Sequence, residues 1–155
     1  MTNIDIANGL VFQALGIKKD SLDNRIISQK KIYLLQEMGI DIGYSYNWYI
    51  RGPYSPYLTT YIYDNLDMLK DYDFASYKLS DDARSKIETI NNLEREKPQP
   101  LTVASWYELL ASLLYIIKKW NKETPYETLV KYKPKYTPED YEAAMDQLRK
   151  IGCCS

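Results

Sequence analysis

The apolar residues of this chain recur every three or four positions along most of its length, which is the spacing of a helix that buries one face. Glycines end three of these stretches, at Gly16, Gly39 and Gly152. Other stretches open with a serine or threonine that can cap free backbone N–H groups, followed in three cases by proline, which the first helical turn tolerates. The pattern predicts helices that begin near Ile6, Leu22, Pro56, Asp81, Val103, Pro125 and Pro138.

The helix after Thr102 has the most apolar sequence of the set. Leu110 lies on one of its apolar faces and Leu114 on another, so we expect this helix at the centre of the core. The last two helices have marked starts, because Thr124-Pro-Tyr-Glu127 and Thr137-Pro-Glu-Asp140 both predict a capping box.

Residues 42–50 follow a different pattern, in which aromatic and β-branched residues are separated by small polar ones. This composition favours a short strand or wing over another helix. Because strand neighbours face opposite ways, Tyr44, Tyr46 and Trp48 are expected to share one face. Gly52-Pro53 is expected to turn the chain back toward the next helix.

The segment from Tyr44 to Tyr57 concentrates five tyrosines, one tryptophan and one arginine around this turn. These residue types dominate binding hot spots. About half of the aromatic side chains are expected to fill the space between wing and helices. Arg51 can be a structural ion-pair donor within the turn or the charged contact of a partner site, and the sequence leaves both open. The candidate partner contacts are Trp48, Arg51, Tyr54 and Tyr57, with Gly52, Pro53 and Pro56 shaping the site.

Length and composition predict one ordinary globular domain, residues 1–155, that can bury a core without disulfide or metal. The net charge of -1 gives no general case for nucleic acid. No apolar run approaches the roughly 20 residues that span a bilayer, so we expect a cytoplasmic protein without membrane contact. Cys153 and Cys154 are adjacent, a poor arrangement for a structural disulfide, and we expect free thiols.

The chain contains no histidine, which excludes Ser-His and Cys-His nucleophile pairs and histidine-based zinc sites. Asp64 to Asp73 holds four aspartates along one predicted helix and its end, without the glycine-centred loop of a calcium hand, which indicates a solvated acidic face. Phosphate-loop and dinucleotide fingerprints are absent. We therefore expect no catalytic residues, no cofactor and no metal.

A group of lysines lies at the end of the central helix and in the connections after it. They can compensate the helix dipole and face solvent, or they can bind an anionic partner, nucleic acid included. The sequence leaves both interpretations open. The group is Lys118, Lys119, Lys122, Lys131, Lys133 and Lys135.

Two blocks of the N-terminal part, Gln29-Lys-Lys-Ile-Tyr-Leu-Leu35 and Tyr46-Asn-Trp-Tyr-Ile-Arg-Gly-Pro-Tyr-Ser-Pro-Tyr-Leu58, carry a family resemblance. They resemble the Panacea-domain family, whose members have a Gln-Lys-Leu-hydrophobic-Tyr helix followed by an aromatic and Gly-Pro signature. The resemblance extends to about Leu69, and Lys31 departs from it because an apolar residue is usual there. It implies an antitoxin or an accessory domain of prophage and defence loci that neutralises toxins by direct contact, without enzymatic activity.

The sequence thus predicts a mainly α, compact multi-helix domain with one short β-hairpin or wing. We expect a non-catalytic protein-binding module, antitoxin-like or associated with phage defence or counter-defence, with Lys30 and Tyr33 of the matching helix supporting the partner contacts. One alternative is a nucleic-acid-binding regulator, in which the basic helix around Lys30 and Lys31 approaches a nucleic-acid backbone together with the wing. The other is a binder of a small anionic ligand or nucleotide, held by the tyrosines and Arg51.

Overall fold

The computed structural model describes residues 1–154, which form seven α-helices and one antiparallel β-hairpin. This architecture is the predicted fold class, mainly α with one short hairpin. A 3₁₀ turn, Leu93–Glu96, extends the fourth helix. The elements are α1 (Asn3–Leu15), α2 (Leu22–Glu37), β1 (Asn47–Tyr49), β2 (Gly52–Tyr54), α3 (Pro56–Leu69), α4 (Asp81–Asn92), α5 (Val103–Lys119), α6 (Pro125–Tyr132) and α7 (Pro138–Lys150).

Most helix starts use the caps that the sequence predicts. Thr137 forms a capping box with Asp140, as predicted. Thr124 does not, because its backbone has a ψ of 71° instead of the extended conformation that aims a hydroxyl at the first turn. The predicted capping box before α6 is therefore wrong. In five further helices the cap hydroxyl accepts a hydrogen bond from a backbone N–H of the first turn: Thr2, Ser21, Ser55, Ser80 and Thr102.

Helix α5 lies at the centre of the core, as predicted. Residues 106–116 are all buried, and α5 packs against α2, α6, α7 and β2. The Trp106 indole donates a hydrogen bond to the Leu93 carbonyl at 2.8 Å, and the Tyr107 hydroxyl donates to the Ile90 carbonyl at 2.6 Å. The polar tips of these buried aromatic side chains thus join α5 to the end of α4.

The other helices add to the same hydrophobic cluster. Helix α1 packs against α3 and α4, while α2 packs against α4, α5 and β2. In the described part of the chain, no helix combines the length and the apolar character needed to cross a bilayer. Every helix contributes to the cluster, through side chains that include Phe12, Leu35, Leu66, Ile90, Leu114, Leu129 and Leu148.

Strand β1 has three residues and is shorter than the strand predicted over residues 42–50. The turn lies two residues earlier than expected. Ile50 and Arg51 form the turn, and both keep a negative φ. Gly52 follows with a φ of +88°, a left-handed conformation that closes this kind of hairpin turn. Gly52-Pro53 therefore belongs to β2, which corrects the prediction that it turns the chain. The paired residues are Asn47 with Tyr54, Trp48 with Pro53, and Tyr49 with Gly52.

Candidate partner-binding site

Side chains of α2 bind the backbone of the aromatic segment at both of its ends. Gln29 Nε2 donates to the Ser55 carbonyl at 2.9 Å, and Gln29 Oε1 accepts from the Ser55 N–H at 3.0 Å. Gln36 forms the same two bonds with Tyr44, at 2.8 and 2.9 Å. The two glutamines are seven residues apart and so lie on one face of α2. They supply hydrogen-bond partners to backbone groups that lie outside the hydrogen-bond ladder of the hairpin, because each of its strands has only three residues.

Two buried lysines bind the hairpin from beneath. Lys30 is 1% exposed, and its Nζ donates to the Pro53 carbonyl at 2.6 Å. Lys133 Nζ donates to the Ile50 carbonyl and to Glu108 Oε2, both at 3.1 Å. Burial lowers the pKa of Lys30 to about 7, while the carboxylate of Glu108 opposes this shift and the charge of Lys133 adds to it. The hairpin is therefore fixed to the protein by buried lysine side chains as well as by glutamine amides.

Lys30 and Tyr33 cannot contact a partner in this fold, because the protein covers both of them. Tyr33 packs edge-on against Tyr46, with ring centroids 5.0 Å apart, and its hydroxyl has no hydrogen-bond partner among residues 1–154. Burial raises the pKa of Tyr33 well above its usual range. This corrects the prediction that the two side chains support partner binding directly. The helix of the first block instead positions the hairpin of the second.

Trp48 lies on the inner face of the hairpin. Of Tyr44, Tyr46 and Trp48, which are predicted to share one strand face, it alone belongs to a strand, because β1 begins at Asn47. Its ring is half-buried and lies 4.7 Å from Trp120 and 5.8 Å from Tyr132, measured between centroids. Lys133 Nζ lies 5.6 Å from the centroid of the indole. Trp48 therefore packs the hairpin onto α5 and α6.

The outer hairpin face consists of Tyr49, Ile50, Arg51 and Tyr54. The rings of Tyr49 and Tyr54 meet edge to face, with centroids 5.3 Å apart. Ile50, at the tip, is 94% exposed. Arg51 is half-exposed and its Nη1 lies 3.9 Å from Glu108 Oε1, a carboxylate that already has the closer partner Lys133. The Arg51 guanidinium can therefore also bind an anionic group of a partner.

Tyr57 is 61% exposed but lies apart from this face. Its ring packs on Tyr44, with centroids 5.6 Å apart. Helical geometry places it on the opposite side of α3 from Thr59, whose hydroxyl shares a hydrogen bond with Tyr54 of the hairpin. The four predicted contacts therefore do not form one patch. Arg51 and Tyr54 adjoin each other, whereas Trp48 lies beneath them and Tyr57 lies on another side of α3.

A groove of about 230 Å³ opens beside the outer hairpin face, between α2, α3 and β2. The Tyr54 hydroxyl shares a hydrogen bond with Thr59 Oγ1 at 2.6 Å, and Gln29 Nε2 donates to the same Oγ1 at 2.9 Å, which fixes this wall. We call it the basic groove, because its lining combines apolar and basic side chains with two tyrosines. The lining includes Leu22, Ile26, Ile62, Tyr54, Tyr63, Lys18, Lys19, Arg25 and Arg51.

The lysines after the central helix are largely matched inside the protein. Glu37 lies 3.6 Å from Lys118 Nζ and 3.8 Å from Lys119 Nζ. Lys133 is buried against Glu108. Lys135 Nζ donates to Ser105 Oγ at 3.2 Å. These contacts favour the structural interpretation of the lysine group over an anionic partner.

The basic helix face required by the nucleic-acid alternative is not presented to solvent. Lys30 is buried, and Lys31 Nζ donates to the Leu15 carbonyl at 3.1 Å and to Asn91 Oδ1 at 3.0 Å. Both ammonium groups therefore bind protein oxygens. A nucleic-acid backbone could not reach Lys30 without displacing the hairpin.

The two cysteines are free thiols in the structure, as predicted. Cys153 is buried, and burial raises its pKa to about 11. At neutral pH this thiol is therefore protonated and a weak nucleophile. Among residues 1–154, no group of three cysteine, aspartate or glutamate side chains comes close enough together to hold a metal ion.

The sequence interpretation missed several residues of this surface. Tyr49 and Ile50 had a usable signal, because Tyr49 alternates with the inward Trp48 and Ile50 adjoins the turn. Lys18, Lys19 and Arg25 had none, since the groove joins three elements that no sequence period connects.

No protein-family model, curated protein or solved structure matches the chain. The resemblance to the Panacea-domain family therefore stays a prediction that rests on the two blocks. The contacts described above give those blocks a physical relationship, because Gln29 and Lys30 of the first bind Ser55 and Pro53 of the second.

Proposed function

We propose that this chain is a non-catalytic protein-binding module that contacts its partner through the outer hairpin face. An antitoxin-like role, or one in phage defence or counter-defence, is the biological setting that the Panacea resemblance implies. A cytoplasmic location is part of the same proposal.

The observation that carries the proposal is the pairing of an exposed tip with a fixed backbone. Ile50 is 94% exposed, yet its own carbonyl and that of Pro53 accept hydrogen bonds from the buried Nζ atoms of Lys133 and Lys30. A hairpin held in this way loses little conformational freedom when a partner covers it, and such pre-organisation favours affinity. Covering an exposed isoleucine side chain removes apolar surface from water, which lowers the free energy of the complex.

The neighbours of Ile50 have the composition of a binding hot spot. Tyr49 and Tyr54 give broad, rigid contact area with polar tips, and Arg51 adds a planar cation. Trp48 supports these residues from the inner face and does not need to touch the partner. Tyr57, on the other side of α3, is not part of the proposed contact surface.

The first experiment is affinity capture from the source cell with the parent chain and with Ile50→Asp, followed by identification of the retained proteins. Ile50→Asp places a charge where an apolar contact is expected, at a position too exposed to affect folding. Ile4→Asp is the control, since Ile4 is an exposed isoleucine on α1. A protein retained by the parent and by Ile4→Asp but lost from Ile50→Asp supports the proposal. Equal retention by all three chains contradicts it.

A further inference from the structure

We propose that the basic groove receives an acidic segment of the partner, in which an apolar side chain lies next to one or more carboxylates. This inference rests on the proposed function and names the chemistry of the partner. It is carried by the charge of the groove, its apolar base and its continuity with the outer hairpin face.

The groove concentrates positive charge on a protein whose net charge is -1. Its lining holds Lys18, Lys19, Arg25 and Arg51, and no acidic residue. Within residues 1–154, neither Lys18 nor Arg25 has a carboxylate oxygen within 4 Å, whereas Lys19 pairs with the exposed Asp67 at 3.1 Å. Lys18 and Arg25 therefore remain free to attract carboxylates of a partner.

The base of the groove is apolar. Ile26 and Ile62 are buried beneath it, and Leu22 is a half-exposed apolar side chain at its edge. The volume of about 230 Å³ is below the range of roughly 300–1,000 Å³ that is common for small-molecule sites. A space of this size suits one inserted side chain of a larger partner. Hot-spot side chains fill pockets of this kind.

The groove and the outer hairpin face share residues. Tyr54 and Arg51 belong to both, and Tyr49 touches Tyr54. A partner that covers Ile50 and Tyr49 can therefore continue into the groove without leaving the surface. This continuity favours a protein segment over a free small carboxylate.

The test is an NMR titration of the ¹⁵N-labelled full chain with two blocked peptides, acetyl-Glu-Phe-Glu-amide and its neutral counterpart acetyl-Gln-Phe-Gln-amide. We expect the acidic peptide to shift the backbone amide signals of Leu22, Ile26 and Thr59. It is expected to bind at least about tenfold more tightly than the neutral peptide, since charge-assisted contacts are lost in the latter. Added salt is expected to reduce this difference.

Variants locate the binding. Arg25→Gln is expected to weaken binding of the acidic peptide several-fold. Lys18→Gln is expected to do the same and is the second choice should Arg25→Gln fold poorly, because Lys18 is exposed. Arg84→Gln is the matched control, because Arg84 lies on α4 and pairs with Asp81. Parent-like affinity in both groove variants overturns the inference, as does equal affinity for the two peptides or a lack of shifts at millimolar peptide.

A small carboxylate, 3-phenylpropionate, forms the last arm of the titration. If it binds as tightly as the acidic peptide, the occupant is a free carboxylate and the inference of a partner segment is wrong. The Ile50→Asp capture separates the two proposals. Loss of the captured partner from that variant, with no peptide binding in the groove, leaves the proposed function standing and removes this inference. Peptide binding without any loss of the partner contradicts contact through the outer hairpin face and leaves only the acidic specificity of the groove.

Discussion

At the scale of single residues, the space around Gly52 shows how closely the hairpin approaches α5. Its φ is +88°, and a Cβ atom there would lie 2.2 Å from Ser112 Oγ. Ser112 is fully buried. Glycine is therefore required for two reasons, a left-handed backbone and a lack of space. Gly43 has a φ of +91° with nothing near its missing Cβ, so it shares only the first reason.

We predict that Gly52→Ala destabilises the protein more than Gly43→Ala. The left-handed backbone costs about 1–2 kcal/mol at either position. Overpacking against Ser112 adds about 1–3 kcal/mol at Gly52 alone. Urea unfolding of the two variants measures the difference. Equal losses of unfolding free energy would show that α5 yields to the added methyl group and that the hairpin is not tightly seated.

Lys30 is the second informative residue, because its pKa falls from 10.5 to about 7 on burial beside Lys133. Between these values the unfolded chain binds more protons than the folded one. The contribution of Lys30 to stability is therefore present above the unfolded pKa and is lost as pH falls through the folded pKa.

We predict that the unfolding free energy of the parent, minus that of Lys30→Met, rises as pH increases from about 7 to about 9. The subtraction removes the titration of groups that both chains share. Urea unfolding across this range gives the difference at each pH. A difference that stays constant, or that falls as pH rises, would mean that the buried ammonium does not lose its proton in the folded state.

At the scale of elements, α2 is the template on which the hairpin is built. Its side chains at Gln29, Lys30 and Gln36 bind backbone groups, so the hairpin needs few hydrogen bonds of its own. A two-stranded hairpin is marginal in water without such support. The position of the outer hairpin face therefore depends on α2.

We predict that Gln29→Met destabilises the protein by about 1–3 kcal/mol, since it leaves the buried N–H of Ser55 unpaired, while the Ser55 carbonyl keeps its hydrogen bond from the Thr59 N–H at 3.2 Å. Gln36→Met is expected to lose less, because solvent reaches the bonds between Gln36 and Tyr44. Hydrogen exchange adds a specific readout. The Ser55 amide is expected to exchange faster in Gln29→Met, and the Tyr44 amide in Gln36→Met. Equal acceleration of both amides in either variant would contradict separate attachment at the two ends.

The helices were predictable from sequence because periodicity and caps are local signals, as Ser55 and Thr137 show. The hairpin turn was not, since Gly52-Pro53 has turn composition while the actual turn places glycine just after it. The burial of Lys30 was also hidden. A lysine in a helix normally marks a solvent face, and its acceptor here is a carbonyl 23 residues further along the chain.

At the scale of the whole molecule, the distribution of charge and exposed aromatic groups separates interior from contact surface. Lys30, Lys31 and Lys133 bind oxygens of the protein itself. The cations of the basic groove remain turned outward beside the outer hairpin face. The candidate site could therefore be predicted only in part. The sequence shows which residues are basic or aromatic, but not which of them are buried or paired inside the protein.

The central claim is that the outer hairpin face binds a protein, and the affinity of the captured partner for Tyr49→Ala tests it most directly. Tyr72→Ala is the matched control, since Tyr49 and Tyr72 are 44% and 45% exposed. We expect Tyr49→Ala to raise the dissociation constant by at least about fivefold to tenfold, the effect of losing a hot-spot residue, and Tyr72→Ala to leave it unchanged. Parent-like affinity of Tyr49→Ala, or an equal loss in both variants, would contradict the claim.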